Sequence, residues 1–278
     1  MSGIVRHAVF GHPIAHSRSP WIHARFAAAE GIELRYEAID TPPESFLESL
    51  LDFAADGGSG ANVTLPLKQL AAGLCAELSE SAARAGAVNT LIAISGGLWR
   101  GDNTDGLGMM ADLTRLRIPV CGQRILILGA GGSVRGILTP LLAARPSSLS
   151  IANRTHERAQ TLAAEFAQLG MIDAVGLDQI QQRPAFDLVI HATSAYRGAA
   201  PTSLPPAAFA AHTIAYDLSY GEASAAFMAQ ARLLGAAAAY DGLGMLVEQA
   251  AESFQRWHGL RPQTAAVHAQ LRALVQAS

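Results

Sequence analysis

The run ILILGAGGSVRG at residues 125–136 constrains this chain more than any other segment. Four apolar residues, Ile125 to Leu128, read as a buried strand that turns at once into glycines and then a helix. Gly129 permits the tight turn, and Gly131 lets backbone N–H groups approach a pyrophosphate. The helix N-terminus adds a favourable partial charge for that anion. A glycine string alone is compatible with a simple turn, and Val134 stands where a small sixth residue is usual. The end of the next strand decides between these readings. There an NAD binder places a carboxylate for the ribose hydroxyl, whereas this chain has Asn153-Arg154-Thr155. A carboxylate would repel a 2′-phosphate, while a guanidinium grips one with paired hydrogen bonds. The expected cofactor is NADP (NADPH). Gly129, Ala130, Gly131, Gly132 and Ser133 are expected to line its pyrophosphate, and Asn153, Arg154, Thr155 and Arg158 to surround its 2′-phosphate.

The periodicity around this unit predicts an α/β protein of two domains. In the first hundred residues, strands are expected at 7–10, 34–39 and 60–65, and helices at 20–30, 43–55 and 68–74. A hairpin is expected over 87–100 around Ser95-Gly96-Gly97. The 43–55 helix is expected to bury Phe46, Leu47, Leu50, Leu51 and Ala54. After the glycine loop, strands are expected at 149–152, 174–177, 188–192, 214–218 and 236–240 with helices between most of them, the pattern of a mostly parallel, doubly covered sheet. The chain closes on two helices, 245–258 and 262–276, expected to return to the first domain. The expected boundaries are 1–104 with 245–278 for an N-terminal α/β substrate domain, and 105–244 for a Rossmann-like cofactor domain. Glycine-rich joints near 105–113 and 242–245 are expected to act as a hinge.

Half of the 278 residues are hydrophobic, 15% are charged and the net charge is −3, so no basic stripe points to nucleic acid or a membrane surface. Cys75 and Cys121 are too few for a disulfide framework and share no metal-ligand spacing. They are expected to be small buried residues, and no metal is expected. With no transmembrane-length apolar run and no signal-peptide pattern, a cytoplasmic location is expected. Monomer and homodimer are both left open.

Four further strings carry chemistry: GHPIAHSRSP (11–20), NVTLPLK (62–68), GAVNTL (86–91) and GDNTDGLG (101–108). With GAGGSVRG, NRTHERA and GLGMLVEQAAESFQRWHG, in this order along nearly the full chain, they closely resemble the shikimate dehydrogenase family. The resemblance implies reversible NADPH-dependent reduction of the C3 ketone of 3-dehydroshikimate to shikimate. It assigns Lys68 and Asp105 as a catalytic acid/base pair, which suits a reaction that builds negative charge on a carbonyl oxygen. It assigns Ser17 and Ser19 to the substrate carboxylate, Thr64 and Asn89 to ring hydroxyls, and Tyr220 and Gln249 to further substrate contacts. Thr193 (with Ser194), Leu218 and Gly242 are implied near the nicotinamide. Pro20 is expected to hold Ser19 extended, and Ser19 read in isolation is a helix cap; Asn103 is expected to support the Asp105 loop. The chain departs from the family pattern at His191, Tyr196 and residues 221–226. Those departures leave open a divergent quinate/shikimate dehydrogenase. A non-catalytic NADP-binding sensor is the competing reading of another class; such a module has no need of both Lys68 and Asp105.

Overall fold

The computed structural model describes residues 4–193 and 204–276. It divides into two compact units, one of residues 1–108 with 247–274, the other of 109–246 with 275–278.

The first unit begins β1 (Val5–Gly11), α1 (Ser19–Ala29), β2 (Leu34–Asp40), α2 (Phe46–Ala55), β3 (Gly58–Val63) and α3 (Lys68–Leu74). It continues β4 (Glu77–Leu78), α4 (Glu80–Ala85), β5 (Thr90–Ile94) and β6 (Leu98–Asp102). Its sheet runs β2-β1-β3-β5-β6-β4, parallel on the β2-β1-β3 side, antiparallel where β5 meets β3 and β6, and parallel again between β6 and β4. Phe10, Phe46, Leu50, Phe53, Val63, Leu67, Leu91 and Trp99 fill one core cluster. The buried face of α2 is therefore Phe46, Leu50 and Phe53, whereas Leu47 and Leu51 are exposed. The aromatic ring at 53 decides which face turns inward: Phe53 meets Phe10 edge-on at 5.5 Å and stacks on Trp99.

Helix α5 (Asp105–Arg115) carries the chain out of the first unit. The second unit then runs β7 (Arg124–Leu128), α6 (Gly132–Ala143), β8 (Ser148–Ala152), α7 (His156–Glu165), β9 (Asp173–Val175), β10 (Leu188–His191), β11 (Ile214–Asp217), α8 (Glu222–Leu233) and β12 (Ala238–Tyr240), alternating except that β9, β10 and β11 are joined without an α-helix among the described residues. All its strands are parallel, in the order β12-β11-β10-β7-β8-β9. The central strands are apolar on both sides: Ile125 and Ile127 join one cluster, Leu126 and Leu128 the other. Strand order reverses beside β7, where an open parallel sheet leaves a crevice outside its strand ends. The long helix α9 (Leu243–His258) leads back to the first unit, and α10 (Ala265–Gln276) follows it.

Two local expectations need correction. Ser19 is neither extended nor a cap: it is the first residue of α1, with Arg18 at the cap position. Proline is tolerated in the first helical turn because its missing N–H would have no partner there, so the helix starts one residue before Pro20. The cysteines are not buried either; Cys75 is half-buried and Cys121 exposed. Among the described residues no helix is long and apolar enough to cross a membrane.

Within the first unit, His7 and His23 are almost wholly buried in an aromatic nest with Tyr36, Phe254, Trp257 and His258. Desolvation, followed by the neighbouring histidines, pushes His7 down to about 2. Desolvation likewise outweighs a hydrogen bond with Asn62 and takes His23 to about 3. Both lie below the unfolded value near 6.5, so the unfolded chain binds more protons across that window and stability falls as pH drops below 6.5. Each histidine contributes a slope of about 1.4 kcal/mol per pH unit in the interval between its two values. Urea unfolding between pH 7 and pH 4.5 is expected to show this loss, and His7→Phe to flatten it; a midpoint independent of pH would contradict it.

Candidate active site and cofactor cradle

The strings NVTLPLK and GDNTDGLG each place a charged residue at the start of a helix. Lys68 opens α3 and Asp105 opens α5, and their side chains meet with Lys68 Nζ 2.5 Å from Asp105 Oδ2. Both are largely removed from solvent, at 12% and 6% side-chain exposure. The start of a helix favours the Asp105 carboxylate, and the Asp105 backbone N–H donates to the Asn103 side chain. Asn103 in turn donates to the Ala87 carbonyl, so it holds the turn before α5 as expected.

The other carboxylate oxygen of Asp105 is fixed by Asn89. Asn89 Nδ2 donates to Asp105 Oδ1 at 2.8 Å, and also reaches Thr104 Oγ1 and Gln249 Oε1. Its carbonyl oxygen accepts from the Thr104 N–H and the Thr90 hydroxyl. A second buried amide, Asn62, donates to the Asn89 backbone carbonyl and to Ser253, which also bonds Thr90. Tyr36 donates to Asn62 Oδ1 at 2.7 Å. Asn62, Thr90, Thr104, Ser253 and Tyr36 are not singled out by sequence reasoning. These residues come from β2, β3, β5, the turn before α5 and helix α9, and Ser253 lies 191 positions beyond Asn62, so no local pattern joins them.

The remaining substrate candidates divide between the units. Thr64 follows β3 and is half-buried, its backbone bonded to Phe10. Ser17 and Ser19 sit at the start of α1, where Ser17 Oγ accepts the Ser19 N–H at 3.3 Å. Gln249 lies on α9, and Gly108 of α5 packs directly on its backbone: a Cβ at 108 would fall 2.6 Å from the Gln249 nitrogen. Tyr220 belongs to the second unit, in the turn between β11 and α8.

In the second unit, Gly129 has φ +122°, and a Cβ there would strike the Ala192 carbonyl at 2.7 Å. Only glycine fits. Among the described residues nothing stands within 4 Å of a Cβ placed at Gly131 or Gly132, and Gly131 occupies the cap position of α6 with no side-chain capping bond. Ala130 and Ser133 flank them, so the first N–H groups of a 12-residue helix stand over a cradle free of side chains. Arg154 and Arg158 are exposed, and among the described residues neither has an acidic partner; Asn153 ties the loop by donating to the Thr155 carbonyl. Leu218 and Gly242 meet on the other side of the sheet's strand ends, with no room for a Cβ at 242 beside the Leu218 carbonyl. Thr193 follows shortly after β10, next to the Gly129 turn. Ser194 and Tyr196 lie outside the described residues. A helix N-terminus, a side-chain-free cradle and unpaired guanidinium groups fit a dinucleotide bearing an extra phosphate.

Comparison with known proteins agrees with this geometry. A model of the shikimate dehydrogenase substrate binding domain matches residues 9–91, one of shikimate / quinate 5-dehydrogenase matches 112–200, and one of the shikimate 5'-dehydrogenase C-terminal domain matches 242–272. A protein of Xanthomonas campestris pv. campestris (strain 8004) named shikimate dehydrogenase (NADP(+)) is 50% identical over 97% of this chain and 96% of its own length. The chain belongs to the shikimate dehydrogenase family. Among solved structures, the shikimate 5-dehydrogenase of Thermus thermophilus in complex with NADP(H) and shikimate superposes with a TM-score of 0.85. It is 35% identical and covers 97% of this chain and 99% of its own. An Ael1 enzyme from Pseudomonas putida reaches a TM-score of 0.88 at 40% identity, over 96% and 98% of the two chains.

The contact of Gly108 with Gln249 provides a stability test. Gly108→Ala is expected to cost about 1–3 kcal/mol, as overpacking against backbone does. Gly73→Ala, at an open position in α3, is expected to gain roughly 0.5–1 kcal/mol. Urea midpoints of the two variants should move in opposite directions; equal shifts would contradict the packing.

Proposed function

We propose that this protein is an NADP-dependent shikimate dehydrogenase that interconverts 3-dehydroshikimate and shikimate. The observation that carries the mechanism is the 2.5 Å contact between Lys68 and Asp105, with Asn89 on the second carboxylate oxygen. NADPH, when bound, supplies the hydride for the C3 carbonyl carbon. Lys68 meets the negative charge that develops on the carbonyl oxygen and passes it a proton; Asp105 keeps the ammonium aimed and shares the proton as a coupled partner. In the reverse direction the same pair takes the proton from the C3 hydroxyl.

The substrate is held by groups whose chemistry suits a carboxylated ring of hydroxyls. Ser17 and Ser19 bind its carboxylate, and the positive end of α1, which begins at Ser19, adds to that preference. Thr64, Asn89 and Gln249 bind ring hydroxyls. Asn89 Nδ2 has three acceptors for two hydrogens, so it can turn one toward the ring while keeping Asp105 in place. Tyr220 adds a further substrate contact. Residues 1–104 with 245–278 form the substrate domain and 105–244 the cofactor domain, with the helix-borne Asp105 working on the substrate side. On the cofactor, Gly129 to Ser133 hold the pyrophosphate, Asn153, Arg154, Thr155 and Arg158 the 2′-phosphate, and Thr193, Leu218 and Gly242 the nicotinamide half. A second reading, in which quinate is also oxidised, is supported by the match of residues 112–200 to a shikimate / quinate 5-dehydrogenase model.

Lys68→Ala is expected to lower kcat by two or more powers of ten, as loss of a general acid does, with NADPH affinity retained. Turnover near that of the unaltered enzyme would overturn the mechanism. Arg154→Ala is expected to raise KM for NADPH far more than for NADH, because only the former carries the 2′-phosphate. Equal increases would remove that assignment.

A further inference from the structure

At the strand ends of the second unit, three side chains form a relay that the mechanism above does not use. His191 ends β10 and Asp217 ends β11, and the parallel register sets them side by side. His191 Nδ1 lies 3.0 Å from Asp217 Oδ2, and His191 Nε2 lies 2.5 Å from the Thr193 hydroxyl. The other Asp217 oxygen accepts the Ser219 N–H at 2.8 Å. Phe227 stacks flat on the imidazole, 4.6 Å between centroids and 9° between planes. Asp217 is fully buried and His191 nearly so, so neither ring nor carboxylate is free to turn.

Donor and acceptor roles follow in sequence. The Asp217 carboxylate only accepts, so an imidazole with a single ring hydrogen carries it on Nδ1. Nε2 is then an acceptor and takes the Thr193 hydroxyl hydrogen. The Thr193 oxygen then keeps a lone pair for a further donor. This residue is half-buried and its backbone adjoins the Gly129 turn, at the crevice where strand order reverses. Arg154 stands at the end of β8, on one side of β7, whereas Thr193 stands at the end of β10 on the other. The two halves of a dinucleotide divide across such a crevice.

We propose that His191, fixed by Asp217, is a positioning residue that makes Thr193 an acceptor for the carboxamide N–H of the nicotinamide ring. This rests on the NADP reading given above. The relay selects a ring bearing an amide over one bearing a group without a donor, and it acts on cofactor affinity independently of Lys68.

The test is calorimetric titration with three ligands: NADP⁺, its 3-acetylpyridine analogue, in which a methyl replaces the amide nitrogen, and 2′-phospho-ADP-ribose, which lacks the ring. The unaltered protein should bind NADP⁺ about five- to tenfold tighter than the acetylpyridine analogue, the worth of one hydrogen bond. His191→Leu, Thr193→Val and the double variant should each lose that preference to the same extent, with 2′-phospho-ADP-ribose unchanged. Thr193→Val keeps the side chain's shape, and the ¹⁵N shifts of His191 report its tautomer without any substitution. A preference that survives either variant, equal loss of all three ligands, or an Nε2–H tautomer would overturn the relay. Failure of the unaltered protein to bind 2′-phospho-ADP-ribose would instead overturn the NADP reading, and the relay with it.

Discussion

The amide of Asn89 is the interaction on which the site depends. It is 1% exposed, it touches Asp105, Thr104, Thr90 and Gln249, and it is anchored from below by Asn62. A buried amide left unpaired is costly, so β3, β5, the turn before α5 and helix α9 must come together in one arrangement that satisfies it. That arrangement leaves the Asp105 carboxylate with one oxygen held and the other free for Lys68. The ion pair is a consequence of the network, and its geometry is set before any ligand arrives.

The second unit is organised by a different constraint, the close approach of backbone to backbone at its strand ends. Gly129 lies against the carbonyl of Ala192 and Gly242 against that of Leu218, and neither position has space for a methyl group. Removing side chains there leaves peptide N–H groups, a helix N-terminus and exposed guanidinium groups as the chemistry on offer. Such a surface suits phosphate. The cluster around Lys68 and Asp105, by contrast, offers hydroxyls, amides and an ion pair, which suit a polyhydroxylated acid. Each unit thus has the chemistry of one of the two reactants.

Much of this was legible in the chain because function sits at breaks in periodicity. The glycine turn after Ile125–Leu128, and the Lys68 and Asp105 strings that end strands and begin helices, stand out against apolar repeats. Face assignment within α2 was less legible, since Leu47 and Leu51 fit the helical period as well as Phe53 does, and only the aromatic partners Phe10 and Trp99 decide between them. The two-residue strand β4 and the six-residue helix α4 are too short to carry a period. The Asn62–Ser253 and His191–Asp217 partnerships were not legible at all. They join residues 191 and 26 positions apart, and only the sheet register or the return of α9 brings them together. His191, conspicuous in the sequence as a departure, acquires a physical role only beside Asp217.

Initial rates of NADP⁺ and NAD⁺ reduction by the purified protein, with shikimate and quinate in parallel, test the central claim most directly. The account predicts strong turnover with shikimate and NADP⁺, and far weaker turnover when NAD⁺ replaces NADP⁺. No turnover in any pairing would contradict it, because the Lys68–Asp105 pair would then be a buried ion pair without a reaction to serve.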